Sequence, residues 1–309
     1  MAVTRKEEET NGASSVKPKY DPDFTDKVIA ATGPNAHPRL KQIMPSLLRH
    51  LHDFAREVDL TCAEWMAAVD LINEAGRMSD DKRNETGLVC DILGLESLVD
   101  EITSKLLLNA KGGSIATPSA ILGPFYREGA PLLPNESNIL LAAPDSEWYK
   151  QAEPLRAHIS GRVVSVSTGK PVANAMVDLW LAGPNGLYEQ QDPTAPEMNL
   201  RGRFLTDDDG RYALYALRPT AYPVPLDGPA GQMLQLLDRQ AYRPAHIHFV
   251  VTAEGYGAVT TQVFDDKDVH LEDDSVFAVK DELIVQFKPR EGDPKAHWTL
   301  TYDFALCEV

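Results

Sequence analysis

Arg243 to Thr252 read RPAHIHFVVT, and the fold turns on that stretch. Its β-branched and aromatic residues suit a strand, in which successive side chains face opposite sides with period two. His246 and His248 then share one face, and Ile247 takes the other. Phe249, Val250 and Val251 place the strand in a core, where two adjacent imidazoles are costly without partners. One metal ion bound by both is such a partner; the alternative is a histidine pair on a solvated sheet face.

Outward from there, short stretches of the same character recur at Leu155 to Val164, Ala175 to Leu181, Arg203 to Thr206, Arg211 to Leu217, Val259 to Phe264, Glu282 to Phe287 and Trp298 to Phe304. Gly, Pro, Asn and Asp turns separate them. Asp207-Asp208-Asp209-Gly210 reads as a hairpin turn, because glycine supplies positive φ. Residues 116–309 are therefore expected to form an antiparallel β-sandwich.

Upstream the period changes. Leu40, Ile43, Leu47, Leu51, Phe54 and Val58 recur every three or four positions and predict an amphipathic helix. Thr61 with Glu64 is a capping-box pattern, so a second helix should start there, carry Trp65, Val69 and Ile72 inward and stop near Gly76. A third helical stretch is expected from Asp80 and Asp81, through Leu88, Ile92, Leu95, Val99, Ile102 and Leu106, to Lys111-Gly112-Gly113. The fold class is thus α+β, with residues 1–30 a loose tail and 31–115 a helical domain.

Composition removes several functions. Among 309 residues, 30 Lys plus Arg stand against 46 Asp plus Glu, a formal charge of −16, which disfavours nucleic-acid partners. No apolar run approaches the roughly 18 residues of a membrane span. The first twenty residues hold no apolar stretch like that of a secretory leader. Cys62, Cys90 and Cys307 form no C-x-x-C pair, which argues against a disulfide framework or zinc ribbon. A cytoplasmic protein is expected. Neither a phosphate-binding glycine loop nor a G-x-S-x-G elbow is present.

With no cysteine near the histidines, tyrosine becomes a candidate ligand, since phenolate is a hard anionic donor once a metal displaces its proton. Tyr188 follows the turn-forming Gly183-Pro184-Asn185-Gly186, and Tyr222 precedes Pro223; both lie on loops that can reach a strand-borne centre. Each is otherwise a packing aromatic.

Five segments, Gly123-Pro124-Phe125-Tyr126, Leu187-Tyr188, Met198-Asn199-Leu200-Arg201-Gly202, Ala221-Tyr222 and Arg243-Pro244-Ala245-His246-Ile247-His248, resemble in order those of the intradiol ring-cleaving dioxygenases. The resemblance implies a mononuclear non-haem Fe(3+) held by Tyr188, Tyr222, His246 and His248, and cleavage of an aromatic diol or triol by dioxygen. It also implies that substrate displaces Tyr222, that Arg243 stabilises negative charge on the ring, and that Gln262 lies beside them. By the same register the pocket wall comprises Leu88, Asp91, Ile121, Gly123, Pro124, Phe125, Val224, Pro225 and Val276. Members specific for catechol tend to carry an apolar residue where this sequence has Asp91, whereas the hydroxyquinol branch carries aspartate. Tyr222-Pro223-Val224-Pro225 and the stretch from His270 to Phe277 also resemble that branch. Hydroxyquinol 1,2-dioxygenase activity is the expectation, with catechol 1,2-dioxygenase the close alternative. A non-catalytic β-sandwich binding module is the alternative should the tyrosines only pack. The family further implies homodimerisation through the helical domain, sometimes around a bound phospholipid.

Overall fold

Thr61 accepts from the backbone N–H of Glu64 at 3.3 Å, while the Glu64 carboxylate takes the N–H of Thr61 at 2.8 Å. The reciprocal cap starts a helix as expected. A computed structural model of the chain describes residues 21–110 and 116–309; the tail read over the first twenty residues and the helix end at Lys111-Gly112-Gly113 lie outside these. The chain divides into two compact units between Val69 and Asp70.

In the first unit, α1 (Phe24–Ala30) occupies the end of the segment read as tail, and α2 (Pro38–Glu57) is the amphipathic helix. They are tied by Arg56 donating to Thr25 Oγ1 at 2.7 Å and by the rings of Phe24 and His52, 5.5 Å apart. Among the described residues the apolar stripe of α2 stays exposed, Leu47 to 48% and Phe54 to 54%.

The capped helix, α3 (Cys62–Met78), crosses the division. Trp65 and Ile72 do not point inward as expected; both are more than half exposed, and the buried face instead carries Leu71 and Ala75. Amphipathic spacing identifies a stripe but not what covers it. α3 runs to Met78, two residues past Gly76, near where its end was expected. It ends where the Ser79 hydroxyl donates to the Ala75 carbonyl.

The expected third helix is two, α4 (Glu85–Ile92) and α5 (Leu95–Ala110). Asn84 caps α4 by accepting from Gly87 N at 2.9 Å, whereas Asp80 folds its own loop by accepting from Lys82 N and Arg83 N. Gly94, at φ +71°, breaks the run; the left-handed conformation is open to glycine at little cost. This break ends α4 just past Asp91.

Strands follow in two sheets and a separate pair, with α6 (Glu147–Ala152) after the first strand and α7 (Pro229–Leu236) after the sixth. In chain order they are β1 (Ser137–Asn138), β2 (Arg156–Ser165), β3 (Met176–Trp180), β4 (Arg201–Leu205), β5 (Arg211–Leu217), β6 (Tyr222–Pro223) and β7 (Tyr242–Arg243). Then come β8 (His246–Thr252), β9 (Val259–Asp265), β10 (Ile284–Val285), β11 (Lys288–Pro289), β12 (Trp298–Thr301) and β13 (Phe304–Leu306). One sheet runs β1-β5-β2-β12-β11, with β13 also on β2; the other runs β10-β9-β8-β3-β4; β6 and β7 pair separately. Between the two sheets lie Ile159, Val163 and Leu214 from one side and Val177, Phe249 and Val263 from the other, the interdigitated core of a sandwich.

The sandwich is α+β as expected, but its sheets are mixed. β1 joins β5, β10 joins β9, and β12 and β13 join β2 in parallel, while β12 takes β11 antiparallel on its other side; long connections permit such parallel pairings and alternation alone does not distinguish them. The stretch Trp298 to Phe304 splits because Gly161 admits the Tyr302 carbonyl, and Asp303 Oδ1 takes the Arg162 N–H at 2.8 Å in place of a ladder bond. The 207–210 turn forms, with Gly210 at φ +72°, yet it is a corner rather than a hairpin. It joins β4 in one sheet to β5 in the other.

Candidate metal centre and adjoining cavity

Period two sends Ile247, Phe249 and Val251 into the sandwich core and turns His246 and His248 to the opposite face of β8, where both are 2% exposed. Adjacent strands extend this face into a row. Arg201 on β4, Trp180 on β3, His248 on β8 and Gln262 on β9 lie directly opposite one another in register, so their side chains leave the sheet together.

The tyrosines come from loops. After β3 the chain turns through Gly186, at φ +78°, where a Cβ would stand 2.9 Å from that of Tyr222; glycine lets the two loops approach. Tyr188 is then fixed by its N–H donating to Gln191 Oε1 at 3.0 Å. Tyr222 lies opposite Arg243 in the β6–β7 pair. The four polar tips meet: Tyr188 Oη to Tyr222 Oη 2.9 Å, Tyr222 Oη to His246 Nε2 3.4 Å, His246 Nε2 to His248 Nε2 3.1 Å, and His248 Nε2 to Tyr188 Oη 3.1 Å.

Burial, followed by the Arg243 charge, holds His246 well below its ordinary pKa. Burial and then His246 do the same for His248. Both are neutral imidazoles at pH 7. His246 Nδ1 must donate to the Pro244 carbonyl, 2.7 Å away, so its Nε2 carries a lone pair toward the other three groups. Burial pushes both phenols up, Tyr188 well above its usual value with Tyr222 as the next cause; Arg243 opposes the rise at Tyr222. A cation among these tips would reverse that and favour the phenolates. N and O donors at about 2.0–2.2 Å from a metal stand about 3 Å from one another, so the four tips fit a single ion. No group of three or more His, Cys, Asp or Glu suited to a metal occurs among the described residues, and anionic donors at this point are the tyrosines.

Arg243, 3% exposed, donates to Gln262 Oε1 at 2.8 Å, contacts His246 Nε2 at 3.0 Å and pairs with Asp274 at 3.2 Å. Burial lowers its pKa, but the charge and hydrogen bond of Asp274 together with Tyr222 and Tyr188 keep it above the usual value. Gln262 Nε2 in turn donates to the Ile121 carbonyl.

Beside the donors is a small cavity lined by Leu88, Asp91, Ile121, Pro124, Phe125, Tyr222, Val224, Arg243 and Val276. It has apolar walls and few polar points. Asp91 is 1% exposed and its Oδ1 has no hydrogen-bond partner among the described residues. Burial and then the Glu96 carboxyl, to which it hydrogen-bonds, push Asp91 up to about 9. Two expected wall residues stand elsewhere. Gly123, at φ +77°, lies over His248, where a Cβ would be 3.1 Å from Cε1; Pro225 lines a neighbouring depression with Pro223, Leu226 and Asp227.

Sequence reasoning gave no role to Asp274, Trp180 or the Arg201–Glu189 pair. Arg201 Nε donates to Glu189 Oε2 at 2.6 Å, both side chains being 2% exposed, and its guanidinium lies 5.8 Å from the Tyr188 ring. Glu189 adjoins Tyr188 in sequence, the one local signal available.

Two family models match: "Dioxygenase" over residues 121–308 and "Catechol dioxygenase N terminus" over residues 37–110. The chain is 44% identical to a catechol 1,2-dioxygenase of Candida albicans, over 92% of this chain and 91% of that one. It is 42% identical to an intradiol ring-cleavage dioxygenase of Aspergillus niger, over 94% and 90%. Among solved structures, a hydroxyquinol 1,2-dioxygenase of Pseudomonas putida superposes with a TM-score of 0.78 at 37% identity, covering 93% of this chain and 98% of that one.

Proposed function

The chain belongs to the intradiol ring-cleavage dioxygenases, and on that footing we propose that it cleaves benzene-1,2,4-triol with dioxygen to 3-hydroxy-cis,cis-muconate, which tautomerises to maleylacetate. One observation carries the substrate assignment. Asp91 is buried in the cavity wall with no partner for Oδ1 among the described residues, an acceptor suited to a hydroxyl that catechol lacks.

Tyr188, Tyr222, His246 and His248 would hold Fe(3+), which when bound acts as Lewis acid and electron sink toward the diol and dioxygen. Tyr222 belongs both to the four converging tips and to the cavity wall, so it is the donor an incoming diol meets; its phenolate oxygen takes up a substrate hydroxyl proton. Arg243, held by Asp274 and Gln262, directs a fixed positive charge at oxygens becoming anionic. Leu88, Ile121, Phe125 and Val276 bound the flat ring and exclude water.

Catechol cleavage is the second reading, favoured by the 44% identity to the Candida enzyme. Steady-state kcat/KM on both substrates separates the two; a clear preference for catechol defeats the triol assignment. A colourless, iron-free protein that cannot be reconstituted would instead favour a binding module. The exposed apolar stripe of α2 supports a homodimer formed through the helical region, with phospholipid a candidate occupant by family resemblance. The three free cysteines favour a reducing compartment, the cytoplasm.

A further inference from the structure

Metal-bound histidines are ordinarily held in plane by a hydrogen bond from the far ring nitrogen to a carboxylate or carbonyl. His246 has this, through Nδ1 and the Pro244 carbonyl. His248 does not. Its Nδ1 is buried with no hydrogen-bond partner among the described residues, so the ring must be oriented by something else.

Trp180 is in place to do it. The indole and the imidazole stack with centroids 4.7 Å apart and planes within 7°. Register fixes the pairing, since Trp180 is directly opposite His248 across β3 and β8. Trp180 is 1% exposed and its own Nε1 is also buried with no hydrogen-bond partner among the described residues, so the contacts that place the indole are packing contacts. Tyr126 packs against it at 4.9 Å. Near the imidazole edge the chain passes as Gly123, where even a Cβ would press on Cε1 at 3.1 Å. The His248 ring is therefore confined between an aromatic face and a bare stretch of backbone.

We propose that Trp180 is a positioning residue for His248, its indole face replacing the missing hydrogen bond and setting the imidazole plane so that Nε2 faces the other three donors. The inference rests on the reading that these four groups hold a ferric ion. An indole that merely filled volume would need no parallel alignment, and its replacement by any apolar side chain of similar bulk would leave metal binding intact.

Trp180→Phe keeps a flat face and removes the N–H; Trp180→Met fills space without a face. Each full-length variant is purified with iron, checked for folding by circular dichroism, and challenged with EDTA while the visible charge-transfer band is followed. The expected result is that Trp180→Met loses iron about 10- to 100-fold faster than wild type with a shifted band, while Trp180→Phe stays within about threefold. Equal iron retention and an unmoved band in Trp180→Met overturn the inference, as does Trp180→Phe losing iron as fast as Trp180→Met. If Trp180→Met does not fold, Trp180→Leu replaces it. If neither folds, Trp180→Phe decides by its band: unmoved supports the inference and displaced overturns it. Wild-type protein that takes up no iron overturns the proposed function as well, which separates that failure from this one.

Discussion

Replacing Asp91 tests the substrate assignment most directly. Its Oδ1 is buried in the cavity wall with no hydrogen-bond partner among the described residues while the carboxyl hydrogen-bonds Glu96, so the triol can satisfy an atom that catechol leaves bare. A buried acceptor left unpaired costs about 1–3 kcal/mol, which at 1.36 kcal/mol per factor of ten is about 5- to 150-fold in relative kcat/KM. Asp91→Leu removes the acceptor, so the triol-to-catechol ratio should fall by that factor, measured by oxygen uptake on both substrates. A ratio changed by less than about twofold would refute the reasoning. The same carboxyl has a second consequence. Its pKa rises from an ordinary 3.8 to about 9 on folding, so between those values the folded chain keeps a proton that the unfolded chain has released. Stability contributed by Asp91 is therefore fully present below pH 3.8 and is lost as pH rises toward 9. Asp91→Asn does not titrate, and its melting temperature should gain on wild type progressively from pH 5 to pH 8.5. A constant difference across that window would contradict the raised pKa.

Three further outcomes follow from packing. Glu189→Gln leaves the Arg201 charge buried without its carboxylate and should cost about 3–5 kcal/mol in urea unfolding; a loss under about 1 kcal/mol would mean that the remaining contacts to the Phe125 carbonyl and Gln190 suffice. Gly161→Ala would place a Cβ 1.7 Å from the Tyr302 carbonyl oxygen, so β2 and the chain between β12 and β13 must separate. Insolubility, or a loss of about 1–3 kcal/mol or more, is expected, and an unchanged melting temperature would rule the approach out. If the stripe of α2 closes a dimer, sedimentation should give twice 34.0 kDa for wild type and a single chain for Leu47→Glu with Phe54→Glu. A wild-type monomer ends that proposal.

What was readable in the chain was whatever depends on period. His246 and His248 fall on one face of a strand from spacing alone, and the α2 stripe follows from Leu40, Ile43 and Leu47. Spacing was silent about partners. It did not show that Trp65 and Ile72 would be left exposed while Ala75 was buried and Leu71 partly so, because a helix has a stripe whichever way it is turned. Nor did it reveal that Asp274, 31 residues from Arg243, would hold that guanidinium, since such a contact is made by folding and leaves no local pattern. The break at Gly94 was open to inspection as a glycine inside a helical run, yet it matters because it ends the helix beside Asp91. The family likeness supplied Tyr188 and Tyr222 from among ten tyrosines, a choice that residue chemistry left open.

The row Arg201, Trp180, His248 and Gln262 makes the centre a gauge of strand alignment. Sliding β8 one position against β3 would carry both imidazoles through the sheet into the space of Ile247 and Phe249 and bring those hydrocarbons out toward the phenols. Folding and assembly of the ligand set are thus a single decision at this step: a chain that mispairs by one position here loses its oily interior and its chemistry together.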